Sequence, residues 1–213
     1  MIAAPVNAVL RRLPVWPVYW LGTAPAVWLF WRAATGGLGP DPVRTLEHLY
    51  GEIALSLLVA GLAVTPLRRL TGVSLLRFRR AIGLLAFAYV LFHVAVWLVL
   101  DIQLDLAAAW EDIFERPHIT MGMIGLALLL PLAVTSSDRA LRRMGPQAWR
   151  RLHRLAYPAA LAGAVHYLML VKTWELGPIL WLAVILLLLA LRLPWPLRLS
   201  VGGERSLRRH GSR

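Results

Sequence analysis

Six apolar runs, the last slightly short of membrane-spanning length, recur along this chain and constrain its fold more than any other feature. They cover roughly Trp16–Ala34, His48–Leu67, Ala81–Leu100, His118–Thr135, Leu152–Val171 and Pro178–Leu193. A hydrocarbon core of about 30 Å takes about 20 helical residues. In lipid the backbone must satisfy its own polar groups, so helices are expected. The alternation of apolar and polar residues that marks a membrane β-barrel is not seen. The predicted fold class is an all-α integral membrane protein, a six-transmembrane-helix bundle. With 59% hydrophobic residues and a mean hydropathy of +0.63, the composition lies well above the usage of about 45–50% typical of soluble domains.

The net charge of +12 would raise the question of nucleic acid in a soluble protein. Here its placement is topological. One set of loops carries Arg11–Arg12, Arg68–Arg69, Arg77, Arg79–Arg80, Arg139, Arg142–Arg143, Arg150–Arg151, Arg154 and the basic residues from Arg192 onward, 19 in all; the other set has Arg32, Arg44, Arg116 and Lys172. Acids run the other way, with only Asp138 and Glu204 on the basic side. By the positive-inside rule both termini are expected in the cytoplasm. Arg11–Arg12 before an apolar run and Ala24-Pro25-Ala26 resemble parts of export signals. An uncleaved first span is expected instead, because removing it would put the remaining helices in the wrong frame for this charge pattern.

The chain reads as one domain over residues 1–213, with 194–213 a basic cytoplasmic tail. There is no GxGxxG fingerprint and no GxxxxGK[ST] loop. The absence of cysteine excludes disulfides and thiolate-held metal centres. The longest outer connection, Asp101–Pro117, carries five acids among Ile102, Leu104, Leu106, Ala109, Trp110, Ile113 and Phe114. It reads either as an amphipathic segment on the outer interface or as a solvated face.

Ionisable residues inside a span are expensive and mark function. His93 and His166 have the most apolar surroundings. Both lie on spans running outward, thirteen positions after Arg80 and fifteen after Arg151, or about 20 and 22 Å up at about 1.5 Å per residue. Two imidazoles at one height on different helices suit the axial positions of one haem iron. His153 lies thirteen residues before His166, about 220° off its face in a regular helix. It could serve a second haem, a propionate or phosphate, or headgroups. His48 and His118 read as interfacial groups, and His210 lies in the tail.

Several stretches resemble the haem-binding membrane subunit of the bacterial periplasmic methionine-sulfoxide reductase system, the MsrQ/YedZ family of the ferric-reductase-like transmembrane superfamily. They are "GGLGPDPVRTLEHLYG", "VTPLRRL", "RFRRAIGLLAFAYVLFHV", "RPHITMG", "LAVTSS" and "WRRLHRLAYPAALAGAVHYLMLVK". The resemblance implies a ferric-reductase-like transmembrane domain of the bacterial inner membrane. It implies one b-type haem, or two, with His93, His166 and His153 as cofactor-binding residues: His93 and His166 axial on one iron, His153 on a second. It also implies FMN, although no flavin motif is visible. The implied role is to pass electrons from a cytoplasmic flavin reductase or the quinone pool to a periplasmic molybdopterin methionine-sulfoxide reductase that repairs oxidised proteins. The chain would thus be an electron-transfer subunit, not the catalytic one. The alternatives are a self-contained quinol-linked or metal-ion reductase, and a cofactor-free transporter or structural membrane protein.

Overall fold

The computed structural model describes residues 3–171 and 175–192. Lys172, Leu193 and the tail at 194–213, with His210, lie outside the described residues. The described residues are helical, with no strand. A short α1 (Ala3–Arg12) precedes α2 (Trp16–Ala34) and the long α3 (Pro42–Thr71). Next come α4 (Arg79–Ala95), a π-helical turn at Val96–Asp101 and α5 (Leu106–Glu115). The chain continues through α6 (Pro117–Val134), α7 (Asp138–Leu152), α8 (Ala156–Leu170) and α9 (Leu176–Ala190).

Local chemistry sets these ends. Asp41 caps α3 by accepting from Arg44 N at 3.1 Å, with Pro42 in the first turn, where a missing N–H costs nothing. Gly72 ends the same helix at φ 77°, a left-handed conformation that glycine adopts freely. Asp105 caps α5 through Ala107 N and Ala108 N, both at 3.0 Å. The π turn runs into Gln103 and Leu104, at φ 53° and 63°, two non-glycine residues in a region that costs energy.

Among the described residues three helical segments are long and apolar enough to cross a membrane: Pro42–Thr71, Leu76–Asp101 and Pro117–Val134. They contain the second and third apolar runs and all of the fourth but Thr135. α9 is apolar but shorter. The fifth run divides into a 3-10 turn at His153–Leu155 and the 15-residue α8. The connection between the fourth and fifth runs is more ordered than its basic sequence suggests. It forms α7, capped by Ser137 on Ala140 N at 3.1 Å and kinked at Gly145, φ 76°. The outer connection is helical as α5.

The strongest packing joins α3 to α4 and α6 to α8. On α8, Ala159, Ala160, Ala162 and Ala164 are buried. Small side chains let helices in lipid approach closely, and Gly125 of α6 lies against this face. α2 is hooked onto α3 and α4 by two phenols: Tyr50 donates to Ala26 O and Tyr89 to Gly22 O, both at 2.7 Å. At the basic end Arg192 donates to Tyr157 Oη at 2.9 Å and to the Leu62 carbonyl, tying α9 to α8 and α3.

Candidate functional site

α4 and α8 bring His93 and His166 together, with ring centres 5.9 Å apart and planes at 80°. Each ring is tied at one nitrogen. His93 Nδ1 lies 2.9 Å from the Glu47 carbonyl of α3. His166 Nδ1 lies 2.6 Å from the His118 carbonyl of α6. A backbone carbonyl only accepts, so Nδ1 carries the proton in both rings. Nε2 then has the lone pair, and among the described residues no hydrogen bond engages it in either ring. This is the tautomer a metal-ligating imidazole needs, fixed by the bond at its other nitrogen.

The donor set limits what could be held. Among the described residues no group of three or more His, Cys, Asp or Glu side chains is gathered to hold a metal ion. Two imidazoles suit an ion whose remaining positions are filled by its own macrocycle, as in haem. An ion bonded to two such nitrogens at about 2 Å would set the ring centres about 6 Å apart. The observed 5.9 Å is compatible with that spacing; so is the 6.2 Å between His118 and His166, and it is the Nδ1 bonds that single out His93 and His166.

The other histidines sit elsewhere. His118 is near the pair, its ring 6.2 Å from that of His166, and its carbonyl holds His166. His48 is exposed and packs edge-on against Tyr167 at 6.1 Å. Tyr167 in turn donates to Glu52 Oε1 at 2.8 Å. His153 is not gathered with the pair. It stacks on Trp149, ring centres 3.7 Å apart, and its Nε2 lies 3.2 Å from Thr135 Oγ1.

Of Arg77, Arg79 and Arg80, which could hold a phosphate or a propionate, two are engaged within the chain. Arg77 donates to the Arg11 carbonyl. Arg80 pairs with Asp138 at 2.6 Å, and that hydrogen bond holds the Asp138 carboxyl below the usual carboxylate range. Among the described residues Arg79 makes no ion pair.

Sequence reasoning missed Glu47 and His118, which meet the rings through backbone carbonyls, and Gly51 and Gly122, which lie against the same rings. The only trace in the sequence is a glycine four residues after each accepting carbonyl, in Glu47…Gly51 and His118…Gly122.

Comparison with known proteins bears on the chain as a whole. Residues 50–164 match the ferric reductase like transmembrane component family. The chain is 51% identical over 182 residues to the protein-methionine-sulfoxide reductase heme-binding subunit MsrQ of Brucella ovis, covering 85% of this chain and 82% of that protein. MsrQ of Brucella canis and of Brucella suis match with the same identity and coverage.

Proposed function

The chain belongs to the MsrQ family of ferric reductase like transmembrane proteins, and on that premise we propose that it is the membrane electron-transfer subunit of a methionine-sulfoxide reductase system, holding a b-type haem between His93 and His166. The observation that carries this reading is the 5.9 Å spacing of two imidazoles whose Nδ1 atoms are both tied to backbone carbonyls. A haem held by His93 and His166 would supply one-electron transfer rather than substrate activation. The helices orient the two rings, and the apolar bundle sets the dielectric around them.

The proposed membrane arrangement has six spans, with both termini on the cytoplasmic side of the bacterial inner membrane and α5 on the periplasmic side. The charge asymmetry between loops supports it. The site then lies in the periplasmic half, close to the acceptor. Electrons would enter from a cytoplasmic flavin reductase or the quinone pool and leave to a periplasmic molybdopterin methionine-sulfoxide reductase that repairs oxidised proteins. The acids of the Asp101–Glu115 segment are the proposed docking face for that partner.

His153 is the candidate for a second haem, which would require its Nε2 to leave Thr135. FMN is a weaker fit. Of the three arginines suited to its phosphate, Arg77 and Arg80 already bind groups of this chain, leaving Arg79, so no step is routed through a flavin.

The test is a reduced-minus-oxidised visible spectrum of the detergent-purified protein, with the haem-to-chain ratio from the same sample. A six-coordinate b-type spectrum is expected. Colourless protein after haem-sufficient expression would favour a cofactor-free transporter or structural protein. Turnover of a small acceptor without a partner protein would favour a self-contained reductase.

A further inference from the structure

The site contains one device twice. On α3 the Glu47 carbonyl receives His93 Nδ1, and Gly51, four residues on, faces the same edge of that imidazole. A Cβ at Gly51 would stand 3.2 Å from His93 Nδ1 and 3.3 Å from Cε1. On α6 the His118 carbonyl receives His166 Nδ1, and Gly122, again four residues on, faces that ring. A Cβ there would stand 3.1 Å from Nδ1 and 3.3 Å from Cε1. Both approaches are tighter than nine in ten real Cβ contacts.

Helix geometry explains the spacing. The carbonyl of residue i already accepts from the N–H of residue i+4. The Cα–Cβ bond tilts toward the helix N-terminus, so a side chain at i+4 leans over that carbonyl. The oxygen keeps a second lone pair. A phenol tip reaches such an oxygen past a side chain, as Tyr50 and Tyr89 do at Ala26 and Gly22; an imidazole lying against the helix to present Nδ1 meets residue i+4 itself, at both places a glycine. Two other glycines of the same helices do not share this setting. The nearest atom to a Cβ at Gly61 of α3 would be 3.8 Å away, and at Gly125 of α6 3.7 Å, both ordinary contacts.

We infer that Gly51 and Gly122 are positioning residues of the electron-transfer site, baring the Glu47 and His118 carbonyls so that each imidazole donates its Nδ1 proton to a backbone oxygen. That bond sets the tautomer and the ring orientation and strengthens Nε2 as a donor to iron. The inference rests on the reading of His93 and His166 as axial ligands. Because the device is repeated on two helix pairs, each ring is tuned separately.

The experiment uses the full chain purified with its haem. Gly51→Ala and Gly122→Ala are compared with Gly61→Ala and Gly125→Ala, which place the same methyl on the same two helices. The readouts are haem-to-chain ratio, the low-spin electron paramagnetic resonance signal and the reduction potential. A weakened Nδ1 bond makes Nε2 a poorer donor and favours ferrous iron. Gly51→Ala and Gly122→Ala are therefore expected to raise the potential and move the low-spin signal, while the two controls keep the wild-type values. An unchanged potential and signal in Gly51→Ala and Gly122→Ala, or an equal shift in the controls, overturns the inference. His93→Ala and His166→Ala, run alongside, separate the two failures. If they keep haem, the axial reading itself falls; if they lose it while all four glycine variants match wild type, only the positioning role falls. If Gly51→Ala and Gly122→Ala do not accumulate, the native chain decides. With isotope-labelled histidine in the reduced, diamagnetic form, nitrogen resonance should show two Nδ1–H groups at hydrogen-bonded shifts. Two Nδ1 groups without such bonds would overturn it.

Discussion

Trp149 stacks on His153 with ring centres 3.7 Å apart and planes 23° from parallel. The same indole donates through Nε1 to the Thr135 carbonyl at 2.9 Å, and the Thr135 hydroxyl meets His153 Nε2. The α6 terminus, α7 and the 3-10 turn are thus locked together around one imidazole. His153 spends its Nε2 on a neighbour of this chain. His93 and His166 spend only Nδ1.

That contrast makes His153 separable from the pair. His153→Ala is expected to keep the six-coordinate spectrum of the haem held by His93 and His166. If native protein carries two haems per chain, this variant should carry one, and the remaining signal should be the one lost in His93→Ala. Loss of the outer spectrum in His153→Ala would place His153 in the wrong site.

His93→Ala and His166→Ala are each expected to abolish the same haem signal, because one imidazole cannot keep the iron six-coordinate. Visible spectra of the two variants, normalised to chain content, check this. A variant that retains full haem and an unchanged spectrum removes the pairing.

Much of this site was legible before any coordinates, and the reason is physical. An ionisable ring in lipid must have a purpose, and helical rise converts residue number into depth. Those two rules single out His93 and His166 on helices that α5, α6 and α7 separate in sequence. What stayed hidden acts through the backbone. A carbonyl has no residue type, so Glu47 and His118 could be read only by their side chains. Gly51 looks like any glycine in an apolar run until a ring from α4 lies against it. Helix lengths were also only partly legible. The Gly145 kink and the 3-10 turn at His153 depend on packing and capping, which apolar composition does not encode.

The phenol hooks on α2 supply a stability test. Tyr50 and Tyr89 each donate to a backbone carbonyl of α2 at 2.7 Å. Tyr50→Phe and Tyr89→Phe keep the rings and remove one hydrogen bond each, a loss of about 0.5–1.5 kcal/mol apiece. Lower thermal stability in detergent with an unchanged haem spectrum is expected. Because the two rings lie 5.9 Å apart, the double variant should depart from additivity. A spectral change would instead tie α2 to the cofactor.

The acidic face of α5 is the proposed docking surface, and two of its acids can be neutralised without touching its fold. Asp105 is spared because it caps the helix, and Asp112 because it pairs with Arg116 at 2.9 Å. Glu111 and Glu115 are exposed and make no ion pair among the described residues. Their charge can act on an approaching protein without first leaving a partner. Such charges raise association rates through long-range attraction, which salt screens over about 10 Å. Glu111→Gln with Glu115→Gln is expected to slow electron delivery to the periplasmic reductase several-fold at low salt and to flatten its dependence on ionic strength. The haem spectrum and the potential should not move, because α5 lies outside the pair of helices that carries His93 and His166. Rapid-mixing kinetics of haem reoxidation by the partner, across a salt series, measures both quantities. A wild-type rate with a wild-type salt dependence would move the docking surface away from α5.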